Sequence, residues 1–363
     1  MTTVGSGGAA TEDTAGRSPT DTGHRPVAAV LAACRDTVTP AQRAAIDSLP
    51  GSVRHVAGYH LGWWDADGTP VPDGGGKAVR PALALLSAGV VGAGQVQDAV
   101  PAAVAVELVH DFSLLHDDVM DRDPTRRHRP TAWSVFGIGP AILAGDALLA
   151  LAADVLAGSG HPAAGQGVRM LTTTVQELVE GQMSDLAFER RTDVGLAECL
   201  DMAEAKTGSL LGCACSLGAL FGGGRPDEVA RLRRFGRDIG LAFQVVDDLL
   251  GIWGDPRTTG KPAGSDLRRR KKSLPVIVAL TSGRPAGREL AALYRGDAEL
   301  SDADVSRAAA LVEHAGGRAW CRTKADALVT DALDLLPVGG DGPEPAAVSD
   351  LHELARLLVR RDR

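Results

Sequence analysis

The stretch VELVHDFSLLHDDVMD, residues 106–121, contains the pattern that decides the fold of this 363-residue chain. A largely apolar segment without glycine or proline leads into three aspartates, Asp117, Asp118 and Asp121, which is typical of an α-helix. On a helix, Asp117 and Asp121 lie on one face and one turn apart. Carboxylates next to an apolar core are costly unless they bind cations or become neutral. The pattern predicts a magnesium site shared with a polyphosphate, and a solvated acidic turn is the alternative.

The composition favours helices and limits the choice of partners. Hydrophobic residues make up 44% of the chain but aromatic residues only 4%, which favours close-packed helices over strands. The net charge of −8 argues against nucleic acid or an anionic membrane as a partner. No charge-free apolar run approaches the ~20 residues of a membrane span, and the five cysteines form no CxxC pair. We therefore expect a cytoplasmic protein with no membrane span.

Helical patterns recur along the chain without period-two alternation or an internal repeat. We predict an all-α fold in which residues 26–363 form a large single-domain helical bundle around a deep central cavity. Residues 1–25 are polar and rich in glycine, and are predicted to be a disordered tail. The predicted helices are residues 27–45, 46–61, 77–89, 99–115, 139–158, 165–189, 195–218, 227–250, 275–281, 301–315, 318–336 and 348–361.

A basic loop follows the aspartates. Pro124 makes continuation of the helix unfavourable, which places RRHR, residues 126–129, on a loop above the acids. Arginine offers planar donors that match phosphate oxygens. Three arginines so close to the acids predict a diphosphate clamp, although any one of them fits a surface salt bridge equally well.

A second acidic segment, FQVVDDLLG at residues 243–251, repeats this design. An apolar helix again ends on paired aspartates, Asp247 and Asp248, and a basic run follows at residues 268–272. That run alone has the alternative of a solvated face. Two such units facing each other can hold several magnesium ions around one diphosphate and offset its charge as it leaves.

Taken together, these motifs resemble the trans-isoprenyl diphosphate synthases, the polyprenyl synthetase family. The resemblance covers roughly residues 74–275 and rests on the order of many motifs. These are GGKAVRP at 75–81, DDVMD at 117–121 with Arg126 and Arg127 after it, GQMSDL at 181–186, KT at 206–207, GK at 260–261 and Asp266 with Lys271. The Lys77 loop is not a phosphate-binding P-loop, because Ala78 follows Lys77 and Val71 occupies the position of the first glycine.

The resemblance implies an isoprenoid synthase fold and assigns roles to particular residues. Two to three Mg²⁺ ions would be held by Asp117, Asp118, Asp121, Asp247 and Asp248. The allylic diphosphate would contact Arg126, Lys206, Lys261 and Lys271. Isopentenyl diphosphate would contact Lys77, Arg80, His110 and Arg127. The residues expected to carry catalysis are Asp117, Asp118, Lys206, Thr207, Gln244 and Asp247.

The resemblance also implies the product and the assembly. In this family bulky residues just before the first acidic motif form the floor of the pocket, and Phe112 and Ser113 occupy those positions here. One large and one small residue predict a C15–C20 all-trans product, with geranylgeranyl diphosphate favoured and farnesyl diphosphate next. Phe112 as ordinary core packing is the alternative. A homodimer is the family expectation.

Two departures from the family pattern stand out. Gly251 lies where the second motif usually has its third aspartate, and Ala78 replaces a commonly basic residue. One rival interpretation is a terpene cyclase on the same fold, but such an enzyme has no need of Lys77, Arg80 and His110. Another is a non-catalytic partner subunit, which has no reason to keep costly acids beside a core.

Overall fold

The computed structural model describes residues 25–71, 76, 78–92, 94–256, 263–296, 299–337 and 345–360. Helices dominate these residues, and the named strands among them are two short ones that form a hairpin. The prediction of an all-α fold is confirmed. Lys77, Lys261 and residues 1–24 of the predicted tail lie outside the described residues. Arg25, the last residue of that tail, forms an ion pair with Asp350.

The helices agree with the predicted segments in most places. They are α1 Val27–Asp47, α2 Gly51–His60, α3 Val79–Val91, α4 Val100–Met120, α5 Ala132–Phe136, α6 Ile138–Ala157, α7 Ala164–Arg190, α8 Leu196–Ala203, α9 Ser209–Phe221, α10 Pro226–Trp253, α11 Ser265–Arg268, α12 Leu274–Thr281, α13 Pro285–Tyr294, α14 Asp302–His314, α15 Gly317–Asp334 and α16 Pro345–Val359. The strands are β1 Thr125–Arg126 and β2 Arg129–Pro130.

Three differences from the predicted elements have clear physical reasons. Helix α2 begins only at Gly51, because Pro50 precedes it with an extended backbone. The segment predicted as one helix over residues 195–218 is interrupted by a π-helical turn, Glu204–Gly208. The hairpin and helices α5 and α11 were not predicted, since elements of two to five residues are too short to show a periodicity. Helix α13, which has ten residues, was not predicted either.

The bundle buries one large apolar core and a smaller second one. In the large core α4 packs on α3, α6 and α9, while α10 packs on α9 and α15. The second core lies around helices α11 to α14 and includes Leu267, Val276 and Leu290. It supports the segment that returns from the end of α10, and so it positions the basic run after the second acidic motif.

Two segments are long and apolar enough to cross a membrane by length and composition alone. In the first, Val96–Met120, 61% of the most apolar 18-residue window is buried inside the fold, and in the second, Ile138–Ala157, 39% of that window is buried. The first contains Glu107 and Asp111, whose burial suits the interior of a protein better than lipid. Both segments contribute helices that pack against each other in the bundle.

Candidate active site

The predicted site residues meet at a cavity of about 220 Å³ between α4, α7, α9 and α10. Those that line it are Arg80, His110, Ser113, Asp117, Arg126, Lys206, Thr207, Gln244, Asp247, Asp248 and Lys271. Asp118 and Arg127 line an adjoining pocket of about 210 Å³, which shares Leu114 and Arg126 with the first. A third pocket, of about 520 Å³, lies on the opposite face of α10 and contains none of the predicted site residues.

The last turn of α4 presents Asp117 to the cavity. Burial raises the pKa of Asp117, and the nearby Lys206 ammonium counteracts that effect. Asp121 caps the C-terminus of the helix and lies in solvent. Its charge acts on Asp117, as the one-turn spacing of the two residues predicts. A half-buried carboxylate that lines the cavity and an exposed one therefore lie one helical turn apart.

Asp118 points away from Asp117 and is only 2% exposed. Its Oδ1 accepts a hydrogen bond of 2.7 Å from Nε of Arg126, whereas Oδ2 is buried without a hydrogen-bond partner in the structure. Burial raises the pKa of Asp118 to about 6, against the lowering effect of Arg126. Asp118 therefore holds Arg126 in the described structure, and its role as a metal ligand stays a prediction.

The β1–β2 hairpin fixes the direction of the arginines. Its two-residue turn, Arg127 and His128, has φ values of 50° and 62°, a left-handed conformation that glycine usually supplies in such turns. A non-glycine residue there costs about 1–3 kcal/mol. Arg129 lines the adjoining pocket beside Arg127, and its guanidinium donates hydrogen bonds to the carbonyls of Tyr59 and Trp64 at 3.3 and 3.1 Å. Of the three arginines of the predicted clamp, Arg126 lines both pockets, and Arg127 and Arg129 line the adjoining one.

The π-helical turn between α8 and α9 presents two of the predicted residues. Lys206 Nζ donates to Asp185 Oδ2 at 2.7 Å, and Thr207 Oγ1 donates to Gln244 Oε1 at 2.7 Å. A π turn inserts one extra residue per turn and is frequent at functional sites. Helix α7 approaches it closely, since a Cβ atom at Gly181 would lie 2.4 Å from the backbone nitrogen of Lys206.

The second acidic motif continues this network. Gln244 Nε2 donates to Asp248 Oδ1 at 2.8 Å, and the backbone N–H of Leu274 donates to Asp248 Oδ2 at 2.9 Å. Asp248 is buried, and burial raises its pKa to about 6. Both of its oxygens already accept hydrogen bonds, so it orients its neighbours. Asp247 on the exposed side of the helix faces the cavity.

The half-buried ammonium of Lys271 lies among the acids of this second motif. Burial lowers the pKa of Lys271, but Asp248, Asp266, Asp185 and Asp247 outweigh that effect and raise it above its usual range. Lys271 therefore stays charged, and its charge balances the carboxylates around it in the described structure.

Two acids that sequence reasoning missed lie below the predicted isopentenyl diphosphate residues. On α4, Asp111 is buried and Glu107 is half-buried with its Oε2 enclosed, and burial raises the pKa of both against the opposing charges of Arg80 and Arg127. Burial and these arginines hold the pKa of His110 well below its usual range, so its imidazole is neutral. The signal in the sequence was the four-residue spacing of the two acids, which places them on one face of the helix.

The two predicted chain-length residues lie in different surroundings. Ser113 lines the cavity, and its hydroxyl donates to the carbonyl of His110 at 2.8 Å. Phe112 is 6% exposed and packs edge-on against His116, with 4.9 Å between ring centroids. Phe112 is not among the residues that line the cavity.

The donor set fits divalent ions that are shared with a phosphate. Within the described residues, no three histidine, cysteine or acidic side chains converge tightly enough to bind a metal unaided. Asp117 and Asp247 nevertheless face one cavity that also contains Lys206 and Arg126. Magnesium commonly takes one or two carboxylates and completes its shell with water and substrate phosphates. Fold and site together define an all-helical enzyme that binds a diphosphate beside an apolar wall of Leu178, Leu210 and Phe243.

Comparison with known proteins narrows that class. Residues 69–312 match the family described as "Polyprenyl synthetase". The chain is 47% identical over 335 residues to the (2E,6E)-farnesyl diphosphate synthase of Mycobacterium tuberculosis, covering 92% of each chain. It is 46% identical over 359 residues to the geranylgeranyl diphosphate synthase of the same organism, covering 98% of this chain and 99% of the relative. The crystal structure of a polyprenyl synthetase from Streptomyces coelicolor A3(2) superposes with a TM-score of 0.86 at 48% identity, covering 92% of this chain and 100% of that one.

The chain belongs to the polyprenyl synthetase family. It is a short-chain trans-prenyltransferase. These relatives do not favour the cyclase or the non-catalytic subunit that the sequence left as rivals.

Proposed function

We propose that this enzyme condenses isopentenyl diphosphate with an allylic diphosphate to make an all-trans C15–C20 diphosphate, with the C20 geranylgeranyl product favoured and the C15 farnesyl product next. The main support is the convergence of Asp117, Asp247 and Lys206 on a cavity that also contains Arg80 and His110. Asp117, Asp247 and Lys206 suit a metal-bound diphosphate, and Arg80 and His110 suit a second anionic substrate. The two mycobacterial relatives differ by one percentage point in identity, so identity does not choose between the products.

The allylic half of the site would bind a diphosphate through cations on both sides. Asp117, Asp121 and Asp247 would hold two to three Mg²⁺ ions, which when bound offset the charge of the departing diphosphate. Lys206 donates a hydrogen bond to Asp185, and Arg126 donates one to Asp118. When the diphosphate binds, the two side chains would turn toward its oxygens instead. Lys261 and Lys271 would complete this set. Asp185 and Asp118 would keep the Lys206 and Arg126 side chains in position until the substrate binds.

The other half would bind isopentenyl diphosphate through Lys77, Arg80, His110 and Arg127. His110 is half-buried and, with its pKa held well below the usual range by burial and the nearby arginines, neutral, so it can donate a hydrogen bond without adding charge. Glu107 and Asp111 lie close enough to Arg80 and Arg127 for their charges to interact, which would help to orient the half-buried Arg80 and the exposed Arg127 before the substrate binds.

The reaction then needs no protein nucleophile. The allylic C–O bond breaks, and its electron pair leaves with the diphosphate. The double bond of isopentenyl diphosphate attacks the resulting carbocation, and a proton leaves the adduct for the released diphosphate. Thr207 and Gln244, joined by their hydrogen bond, would line the reacting centre. The apolar wall excludes water that would quench the cation.

Chain length, assembly and location are parts of the same proposal. Ser113, which lines the cavity, and Phe112 behind it would limit elongation. Large apolar side chains are exposed on the contacting helices α6 and α7, among them Ile138, Leu143 and Met183. Such a face fits a homodimer. All five cysteines are buried and free, as expected of a cytoplasmic enzyme.

The test is incubation of the purified enzyme with isopentenyl diphosphate, one allylic diphosphate of C5, C10 or C15, and Mg²⁺. We expect elongated linear diphosphates with C20 as the main product, and no product when EDTA removes the metal. Cyclic hydrocarbons formed without consumption of isopentenyl diphosphate would contradict the proposal, as would the absence of turnover with every allylic substrate.

A further inference from the structure

The carboxylate of Asp266 fills the space where a side chain at position 251 of the second acidic motif would lie. A Cβ atom built on Gly251 would lie 2.2 Å from Oδ2, 2.5 Å from Cγ and 3.0 Å from Oδ1 of Asp266. These distances place the Asp266 carboxylate about where the side chain of an aspartate at position 251 would be. Gly251 follows Asp247 by four residues, so both lie on one face of α10.

We propose that Asp266 supplies the third carboxylate of the second magnesium-binding motif, in the space that Gly251 leaves open. This inference rests on the proposed function and adds a metal-site residue to it. The site then binds metal with three carboxylates although position 251 has no acid, because Asp266 comes from the segment that follows α10. The second motif regains the pattern of the first, where Asp117 is followed by Asp121.

The surroundings of Asp266 suit this role. It lies at the first turn of α11 and is partly exposed. Among the described residues, its one hydrogen bond to a side chain is a long one of 3.5 Å from Ser265 Oγ to Oδ1. Its charge acts on Asp248 and on Lys271, two residues that line the cavity. Leu267, the next residue, is fully buried in the second core and anchors the turn.

Geometry makes the two positions mutually exclusive. An acid added at position 251 would collide with Asp266 and repel it, because the Cβ atom alone would come within 2.2 Å of Oδ2. Restoring the usual family residue by Gly251→Asp should therefore harm metal binding. If Gly251 is simply a lost ligand, the same substitution should improve metal binding. The two interpretations predict opposite signs.

The experiment is a titration of the enzyme with Mn²⁺ in the presence of inorganic diphosphate, followed by electron paramagnetic resonance of the free ion. The variants are Asp266→Asn, Asp266→Gly, Gly251→Asp and the exchange Gly251→Asp/Asp266→Gly. We expect the first three to weaken Mn²⁺ binding by about tenfold or more. The exchange should recover most of the loss, since it moves the carboxylate onto α10.

The matched control is Asp302→Asn. It removes an exposed acid of α14 that pairs with Arg268, which lies on α11 together with Asp266. It should bind Mn²⁺ within about twofold of the unmodified enzyme. Helical circular dichroism checks the fold of each variant. If Asp266→Gly does not fold, Asp266→Asn and Gly251→Asp decide the test.

Two results would overturn the inference. One is Mn²⁺ binding by Asp266→Asn that matches the Asp302→Asn control. The other is a Gly251→Asp enzyme that binds Mn²⁺ more tightly than the unmodified protein. Either result leaves the proposed function intact as long as the unmodified enzyme elongates its substrates. Failure of elongation by that enzyme would refute the proposed function instead.

Discussion

The two acidic helix ends face one cavity, but they are built from different parts of the chain. At the end of α4, Asp117 faces the cavity while Asp118 is held by a charged partner, Arg126, from the following hairpin. At the end of α10, Asp247 faces the cavity while Asp248 is held by neutral donors, Gln244 and the backbone of Leu274. In both pairs the first aspartate is presented for binding, and the second organises its neighbours.

The two helix ends differ in whether the group that donates a hydrogen bond to the second aspartate can move. Arg126 is a charged side chain that substrate can attract away from Asp118, so the first site is able to rearrange. The donors to Asp248 belong to two packed helices, so the second site is rigid. A mobile half and a fixed half suit an enzyme that must bind a diphosphate tightly and then release it.

The largest effect should come from removing the aspartate that faces the cavity at each end. We expect Asp117→Ala to lower kcat by roughly 10²–10³-fold, the range for loss of one electrostatic element of an active site. Asp247→Ala should lie near the lower bound, because Asp248 and Asp266 remain nearby. Steady-state assays at saturating Mg²⁺ measure both. Asp47→Asn, an exposed acid on α1, is the control, and near-normal turnover by Asp117→Ala would remove the metal assignment.

The second aspartates should differ in stability more than in catalysis. Asp248→Ala leaves the buried N–H of Leu274 without an acceptor, which costs about 1–3 kcal/mol of unfolding free energy. Asp118→Ala releases Arg126, whose side chain is 30% exposed and can reach water, so the loss should be near the ~1 kcal/mol of an ordinary hydrogen bond. Urea denaturation of both variants measures these values. The reverse order would show that the first site is the rigid one.

Acid should weaken the site while favouring the fold. Burial raises the pKa of Asp118 and Asp248 to about 6, so both lose their charge as the pH falls through 6. We expect activity to fall below that pH by about tenfold per unit for each essential proton, and added Mg²⁺ to recover part of it, because metal competes with protons.

The contribution of these two groups to stability has the opposite sign. A carboxyl whose pKa is raised in the folded state favours folding when it is protonated. That contribution is therefore complete below the unfolded value near 4 and is lost as the pH rises through 6. Parallel pH profiles of turnover and of urea midpoint for Asp248→Asn against the unmodified enzyme check this. Activity that stays flat from pH 7 to 5 would contradict it.

The smallest effect should be on product length. Ser113→Phe places a ring in the cavity wall, so we expect the main product to shorten toward C15 or C10 with little loss of turnover. Phe112→Ala opens space behind that wall and should lengthen the product. Chromatography of the dephosphorylated products measures both. An unchanged product from Phe112→Ala would show that Phe112 is core packing against His116, and that Ser113 alone is the relevant position.

Features that depend on interactions between neighbouring residues could be predicted from the sequence, whereas features that depend on contacts between distant segments could not. Helix periodicity and the turn-by-turn spacing of Asp117 and Asp121 are local, so the fold class and the first acidic face were predictable from residues 106–121. The π turn at Lys206 was not, since it is a local irregularity that leaves the apolar pattern unbroken. Arg129 was placed in the clamp because nothing in the sequence shows that α2 and the segment after it supply carbonyls for its guanidinium.

By itself the sequence determined an all-helical chain of the polyprenyl synthetase family with two acid-and-base units. Only the tertiary structure decided which aspartates line the cavity and which hydrogen-bond partners Asp118 and Asp248 have. Only it brought Asp266 into the space beside Gly251, fifteen positions earlier in the chain. The physical reason is that residue types and their periodicity fix what each helix presents. The partners of a buried charge come from elements that meet only when the bundle packs.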